Sequence, residues 1–191
     1  MIADLPEDVA TLAQRLAAEP AGIFTCELPQ PPGINDWWEP VTIRRGTRSV
    51  ASMKLSRRAE RYKAMAEEVL LRQGVDVVAL EDTYRDLWLR IHVTSYLATP
   101  MERDVDGPLK PMQDFMCRLL GVNDARVRIA SASLCLDAER PRVGVRIEGY
   151  RVWASSEAGP PYYLLRTTDT PEGRRSAALL VTARRRPTES P

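Results

Sequence analysis

The segment between residues 86 and 121 constrains the fold of this chain more than any other. Its first part alternates, with Leu87, Leu89, Ile91 and Val93 on one face and Trp88, Arg90, His92 and Thr94 on the other. A period of two residues predicts a half-buried β-strand. From about Pro108 to Leu120 the apolar residues recur at helical spacing instead, and Gly121 ends the pattern. The helical stripe consists of Leu109, Met112, Phe115, Met116 and Leu119.

The same reasoning orders the rest of the chain. Helices are predicted over residues 4–18 and 55–72, the second with Ser56 as its cap and Gly74 as its stop. Strands are predicted over 22–28, 126–136 and 142–150, with hairpins at 41–52 and between 162–167 and 176–183. This order predicts an α+β fold, a two-layer sandwich in which helices pack on a mixed β-sheet.

Composition narrows the class of protein. Hydrophobic residues make up 44% of the 191 residues and charged residues 28%, which is ordinary for a soluble globular domain. No apolar run approaches the roughly 20 residues of a membrane span, and the N-terminus lacks a secretory pattern, so we expect a cytoplasmic protein. With three separated cysteines and one histidine, zinc-ligand spacing is absent, and we expect reduced, mostly buried thiols.

The basic residues are unevenly distributed although the net charge is only +1. Eight Lys or Arg side chains lie between residues 44 and 63, with Glu60 as the one acid. A second basic group, Arg184 to Arg186, lies near the C-terminus. Such a distribution is compatible with a surface that binds a polyanion, and equally with solvated surface charge.

Carboxylates cluster between the predicted strand and helix. Asp104 and Asp106 are two residues apart at a strand end or turn, and Asp124 follows the next helix. In extended backbone the first two would point to the same side, about 6–7 Å apart. Repulsion between carboxylates is relieved by a divalent cation, and oxygen ligands favour Mg²⁺ or Mn²⁺. Asp106 could instead cap the helix, and such acids also occur by chance in surface turns.

Two basic side chains flank this cluster. Lys110, on the first turn of the helix, could stabilise charge that develops on a phosphate, and Arg103 could hold a neighbouring phosphate. A metal among the aspartates would activate a water for attack on phosphorus. The pattern therefore indicates phosphoryl chemistry if Asp124 folds back to meet the first two aspartates.

At these residues the chain resembles the RusA family of Holliday junction resolvases. The resemblance rests on Arg103-Asp-Val-Asp106-Gly-Pro-Leu-Lys110 and on Gly121-Val-Asn-Asp124-Ala-Arg-Val127. Pro31-Pro32-Gly33-Ile34-Asn35 and the basic helix from Ser56 to Val69 are also similar to that family, in the same order. The likeness covers about residues 22–150. Gly107 stands where the family has Asn, and Asn123 replaces the first of its paired aspartates.

The resemblance implies a RusA-like fold and a homodimeric, Mg²⁺-dependent endonuclease that resolves four-way DNA junctions by paired nicks. It assigns metal binding to Asp104, Asp106 and Asp124, an essential role in cleavage to Lys110, and a phosphate contact to Arg103. It also favours a DNA-tracking role for the basic run, namely Arg44, Arg45, Arg48, Lys54, Arg57 and Arg58.

Four parts are then expected along the chain: an N-terminal helical extension (1–21), the RusA-like nuclease domain (22–152), a hairpin-like extension (153–183) and a basic disordered tail (184–191). Alternatives are a non-catalytic protein that binds DNA structures and a metal-dependent nuclease with another nucleic acid substrate. Trp37 and Trp38 could stack on opened bases, but a place in the core or in a dimer interface is favoured.

Overall fold

The computed structural model describes the backbone of residues 18–100, 104–155, 162–166 and 178–182. Its strands are β1 (Gly22–Leu28), β2 (Trp38–Arg45), β3 (Arg48–Leu55), β4 (Trp88–Leu97), β5 (Val127–Leu136), β6 (Arg142–Tyr150), β7 (Val152–Ser155), β8 (Tyr162–Arg166) and β9 (Ala178–Thr182). Its α-helices are α1 (Ile34–Trp37), α2 (Arg57–Arg72), α3 (Val77–Tyr84) and α4 (Leu109–Leu119), and a 3-10 turn covers Asp124–Arg126.

The main sheet has four strands in the order β1-β6-β4-β5. The pair β4 and β5 is parallel, and the other two pairs are antiparallel, so the sheet is mixed. Strands β2 and β3 form a separate two-stranded antiparallel ribbon, and β7, β8 and β9 form a third sheet. These features confirm the predicted α+β fold with helices packed on a mixed sheet.

The core lies between the main sheet and the helices. On β4, Leu89, Ile91 and Val93 are fully buried, and Met112 and Phe115 of α4 meet them from the helical layer. Burying each such side chain contributes roughly 1.5–3 kcal/mol. The alternation of β4 and the apolar stripe of α4 therefore define the two facing surfaces of the core, as the sequence predicts.

Helix α2 begins where its cap sequence requires. The Ser56 hydroxyl accepts a hydrogen bond from the Ala59 backbone N–H at 3.1 Å, so the helix starts at Arg57, two residues later than predicted. Trp37 is completely buried with its ring 5.9 Å from that of Tyr62, which confirms the core position, whereas Trp38 is 37% exposed.

Other expectations have mixed outcomes. The hairpin predicted for residues 41–52 is the β2–β3 ribbon. The predicted C-terminal hairpin consists of β8 and β9, and β7, which was not predicted, pairs with β8. Helices α1 and α3 were not predicted, although Asp76 caps α3 through the Ala79 N–H at 3.0 Å. The helix predicted over 4–18, except for residue 18, and the tail 184–191 lie outside the described residues.

Two of the three cysteines, Cys26 and Cys117, are buried, and all three are free thiols, as predicted. His92 lies on β4, where its ring nitrogens contact the hydroxyls of Ser131 and Ser133 at 2.8 and 3.2 Å. Among the helices that the structure describes, none is long and apolar enough to cross a membrane.

Candidate functional site

The predicted carboxylate pair lies in a turn between β4 and α4. The Gly107 N–H donates to the Asp104 carbonyl at 3.2 Å, and the Leu109 N–H donates to the Asp106 carbonyl at 2.8 Å. The backbone is thus a turn, which is one of the two predicted placements, and the extended geometry considered for Asp104 and Asp106 does not apply. The alternative role of Asp106 as a helix cap is also wrong, because α4 starts after Pro108 without a side-chain cap.

Lys110 joins two acidic side chains on one side of α4. Its Nζ atom lies 2.7 Å from Asp114 Oδ1, one helical turn away, and 3.2 Å from Asp124 Oδ2. These contacts raise the pKa of Lys110, and the hydrogen bond with Asp114 is the largest cause. Lys110 is therefore a cation held between two carboxylates.

The loop after α4 returns Asp124 towards this lysine. Gly121 takes a left-handed conformation (φ 61°), and the Val122 N–H donates to the Cys117 carbonyl at 2.9 Å. A Cβ atom at Gly121 would also lie only 2.5 Å from the Glu81 carboxylate. The turn therefore depends on glycine, and it brings Asp124 within reach of the first turn of α4.

Topology keeps the predicted metal ligands apart. Because β4 and β5 run parallel, the turn with Asp104 and Asp106 follows one end of the strand pair, and Asp124 precedes the other. Within the chain segments that the structure describes, no three His, Cys, Asp or Glu side chains are grouped to hold a metal ion. The aspartates supply the oxygen ligands that Mg²⁺ or Mn²⁺ prefers, but this arrangement does not gather them into one ligand set.

Asp104 faces a cleft that also contains the Pro-Pro turn. The cleft has a volume of about 250 Å³ and lies between the loop from Gln30 to Asp36 and the turn from Asp104 to Pro108. Ser95 of β4 and Leu134 of β5 also line it. Two segments that the sequence singled out separately, about seventy residues apart, are therefore neighbours. Arg103 lies outside the described residues.

The β2–β3 ribbon carries the first part of the basic run. At its tip Arg45 lies directly opposite Arg48, across a turn in which Gly46 takes φ 63°. These two side chains and Arg44 are exposed, and no acid in the described part of the chain pairs with them. Like charges directly opposite each other destabilise a ribbon, so the tip favours an anionic partner.

The remaining basic residues of the predicted interface lie near the base of the ribbon. Lys54 pairs with Glu39 at 2.8 Å across the strands, and Arg58 pairs with Asp36 at 2.7 Å. Arg57 is exposed at the N-terminus of α2, where the helix dipole favours an anion. The positive charge of the ribbon tip and of Arg57 is therefore less neutralised by carboxylates than that of Lys54 and Arg58.

Lys63, Asp114 and Ser95 have notable environments although their sequence positions predict no role for them. Lys63 is 8% exposed, and its Nζ lies 5.6 Å from the ring of Trp37; burial lowers its pKa. The four-residue spacing between Lys110 and Asp114 is the one sequence signal that indicates an ion pair here. Ser95 and Lys63 are notable only because their polar side chains are buried.

No family model matches this chain. The curated proteins also contain no significant match to it.

Proposed function

We propose that this chain is an endonuclease that acts on branched DNA, including four-way junctions, and nicks it with Mg²⁺ or Mn²⁺ as cofactor. The observation that supports this proposal best is the contact between Lys110 and Asp124, at 3.2 Å. Both are predicted site residues, fourteen positions apart, and the loop at Gly121 brings their side chains together.

In this proposal the residues have separate tasks. Asp104, Asp106 and Asp124 would be the residues that hold the ion, and a bound ion would supply an activated water and neutralise phosphate charge. Lys110 would stabilise the developing negative charge through its ammonium group. Arg103 contacts a neighbouring phosphate. We further propose that the enzyme is cytoplasmic. We also propose that it is a homodimer, because paired nicks in two strands need two sites.

The basic ribbon supplies the DNA contacts of the proposal. A two-stranded β-ribbon fits the major groove of DNA, and Arg45 and Arg48 at its tip can each neutralise a phosphate. Arg44 and Arg57 add charge on the ribbon and at the start of α2, and Lys54 and Arg58 add charge that is already paired. The ribbon therefore accounts for affinity, while the turn at Asp104 accounts for cleavage.

The test is nicking of a synthetic four-way junction by the purified chain in Mg²⁺ or Mn²⁺. Asp104→Asn should abolish cleavage and retain or tighten junction binding, since less negative charge then faces the phosphates. Lys110→Ala should also lower the cleavage rate strongly. Asp82→Asn, an exposed carboxylate on α3, is the matched control and should cleave like the wild type. A folded protein that binds the junction without cleaving it in either metal contradicts the proposal.

A second candidate is a non-catalytic protein that binds branched DNA. It is favoured by the lack, among the described residues, of any group of three His, Cys, Asp or Glu side chains that could hold a metal ion. It predicts salt-sensitive junction binding without a metal-dependent product. Comparing junctions with flaps and structured RNA would identify a nuclease with another substrate, the third alternative.

A further inference from the structure

We infer that the cleft beside Asp104 is a pocket for one unstacked nucleobase that carries an exocyclic amino group. This inference rests on the proposed DNA-directed function, and it specifies a nucleobase that the site would bind in addition to the phosphate. The cleft's volume of about 250 Å³ can hold one base with part of its sugar. Its lining includes Asp104, so such a base would lie beside one of the proposed metal-binding residues.

The first argument is a buried hydroxyl without a partner. Ser95 is 2% exposed and lines the cleft, and its Oγ atom has no hydrogen-bond partner within the described residues. Buried polar groups in folded proteins are nearly always satisfied. A ligand group that enters the cleft and bonds to this hydroxyl would satisfy it.

The second argument is the shape and polarity of the walls. Pro31, Pro32 and Pro108 line the cleft together with Ile34 and Leu134, so most of its surface is apolar. Polar groups occur at a few points between these side chains. Apolar faces with polar groups at the edge suit a flat heterocycle, whose faces stack and whose edge forms hydrogen bonds.

The third argument concerns charge. The charged side chains that line the cleft are Asp36 and Asp104, and no Lys or Arg of the described residues lines it. Asp36 is paired with Arg58, whereas the Asp104 carboxylate has no described partner. An acidic lining repels phosphate, so a phosphate or another anion is excluded as the occupant.

The fourth argument is an excess of hydrogen-bond acceptors. Both donors of the Gln30 amide are engaged, since its Nε2 atom donates to the carbonyls of Tyr96 at 3.0 Å and Arg142 at 2.5 Å. Within the described segments its Oε1 atom remains free to accept, and the Asp104 carboxylate and the Ser95 hydroxyl are further acceptors on residues that line the cleft. Acceptors favour the amino groups of cytosine, adenine and guanine over thymine, which presents a carbonyl at the equivalent position.

The test uses the full chain and two probes. Cytidine or thymidine is titrated at millimolar concentration while the amide resonances of Gln30, Ser95 and Leu134 are followed by NMR. In parallel, 2-aminopurine is placed in turn at each position around the crossover of a four-way junction, without metal. We expect shifts with cytidine and much smaller ones with thymidine, and enhanced fluorescence at one junction position.

Variants separate the pocket from the fold. Leu134→Trp fills the cleft and should abolish both signals, whereas Leu136→Trp, on the same strand but outside the cleft, should retain them. Ser95→Ala should weaken cytidine binding about fivefold and yet raise the melting temperature of the free protein, because an unpaired buried hydroxyl is removed. A residue with a merely structural role would not shift these two readouts in opposite directions.

The outcomes distinguish this inference from the function it rests on. Tight junction binding without an enhanced position, or equal shifts with both nucleosides, overturns the pocket and leaves the proposed function intact. Cytidine-specific shifts in a protein that binds no junction contradict the proposed function and retain the pocket. Signals that survive Leu134→Trp overturn the placement in this cleft.

Discussion

The sheet-and-helix body and the β2–β3 ribbon are built on opposite principles. In the body, β4 and α4 bury complete apolar faces, and residues such as Ile91 and Phe115 have almost no exposed surface. In the ribbon the apolar residues are exposed, with Ile43 at 40% and Val50 at 43%, and the tip arginines face each other. A two-stranded hairpin of this kind has little stability of its own. The body therefore supplies most of the folding energy, whereas the ribbon exposes charge that is unpaired among the described residues.

The strongest test of this contrast is a cavity in the body. Phe115→Ala should lower the free energy of unfolding by about 3–5 kcal/mol, because it removes a buried ring between sheet and helices. Urea denaturation monitored by circular dichroism measures this change. The control is Leu71→Ala, at a position 64% exposed on α2, for which we expect a change within about 0.5 kcal/mol. Equal losses for both variants would contradict the placement of the core.

Changes at the ribbon tip should have the opposite signature. Replacing Arg45 and Arg48 with Ala should weaken junction binding roughly 10- to 100-fold at 0.1 M salt and reduce the salt slope by about 1.8, since two phosphate contacts are lost. Stability should stay equal or rise slightly, because two like charges no longer oppose each other. Fluorescence anisotropy across a salt series measures both quantities. Arg72→Ala, which removes the partner of Glu68 at the far end of α2, should leave binding unchanged.

The connection between the two regions should show an intermediate effect. Ser56 is 8% exposed at the junction of β3 and α2, where its hydroxyl donates to the Asp36 carbonyl and caps the helix. Ser56→Ala should cost about 1 kcal/mol of stability, measured by thermal unfolding. The matched change Ser49→Ala, within the exposed ribbon, should have almost no effect. If Ser49→Ala were the more destabilising variant, the ribbon would contribute more to folding than we infer.

Thiol reactivity gives the mildest probe of the body. Burial raises the pKa of Cys26 and of Cys117 to about 12, whereas Cys135 is exposed on the edge strand β5. At pH 8 a disulfide reagent should therefore titrate one thiol rapidly in the folded protein and three after denaturation. Replacing Cys135 with Ser should remove the fast phase. Rapid reaction at Cys117 would show that the layer between α4 and the sheet opens readily.

Local pattern was sufficient for most of the body and insufficient for the site. The two-residue period of β4 and the helical period of α4 each identify one buried face, so the core faces follow from the sequence. The folded turn at Asp104 does not, because Gly107 and Pro108 bend a backbone that the DxD spacing alone would leave extended. The Lys110–Asp124 contact could be anticipated only through the resemblance.

Helix α3 and the cleft could not be predicted from the sequence, for two different physical reasons. Helix α3 is only eight residues long, and short helices depend more on tertiary packing than on intrinsic propensity. The cleft depends on long-range packing, since Ser95 becomes a buried hydroxyl only when the Pro-Pro turn covers the end of β4. The sequence around each of these features therefore does not predict it.

The pairing of β1 with β6 has a consequence for biosynthesis. Gly22 pairs with Gly149 and Leu28 with Val143, so the strand made first waits for a partner near the end of the main domain. At typical elongation rates this delay is on the order of ten seconds, during which one edge of the sheet is open. Such a distant pairing also predicts slow refolding of the isolated chain. We therefore expect the nascent chain to need chaperone protection until residue 150 has left the ribosome.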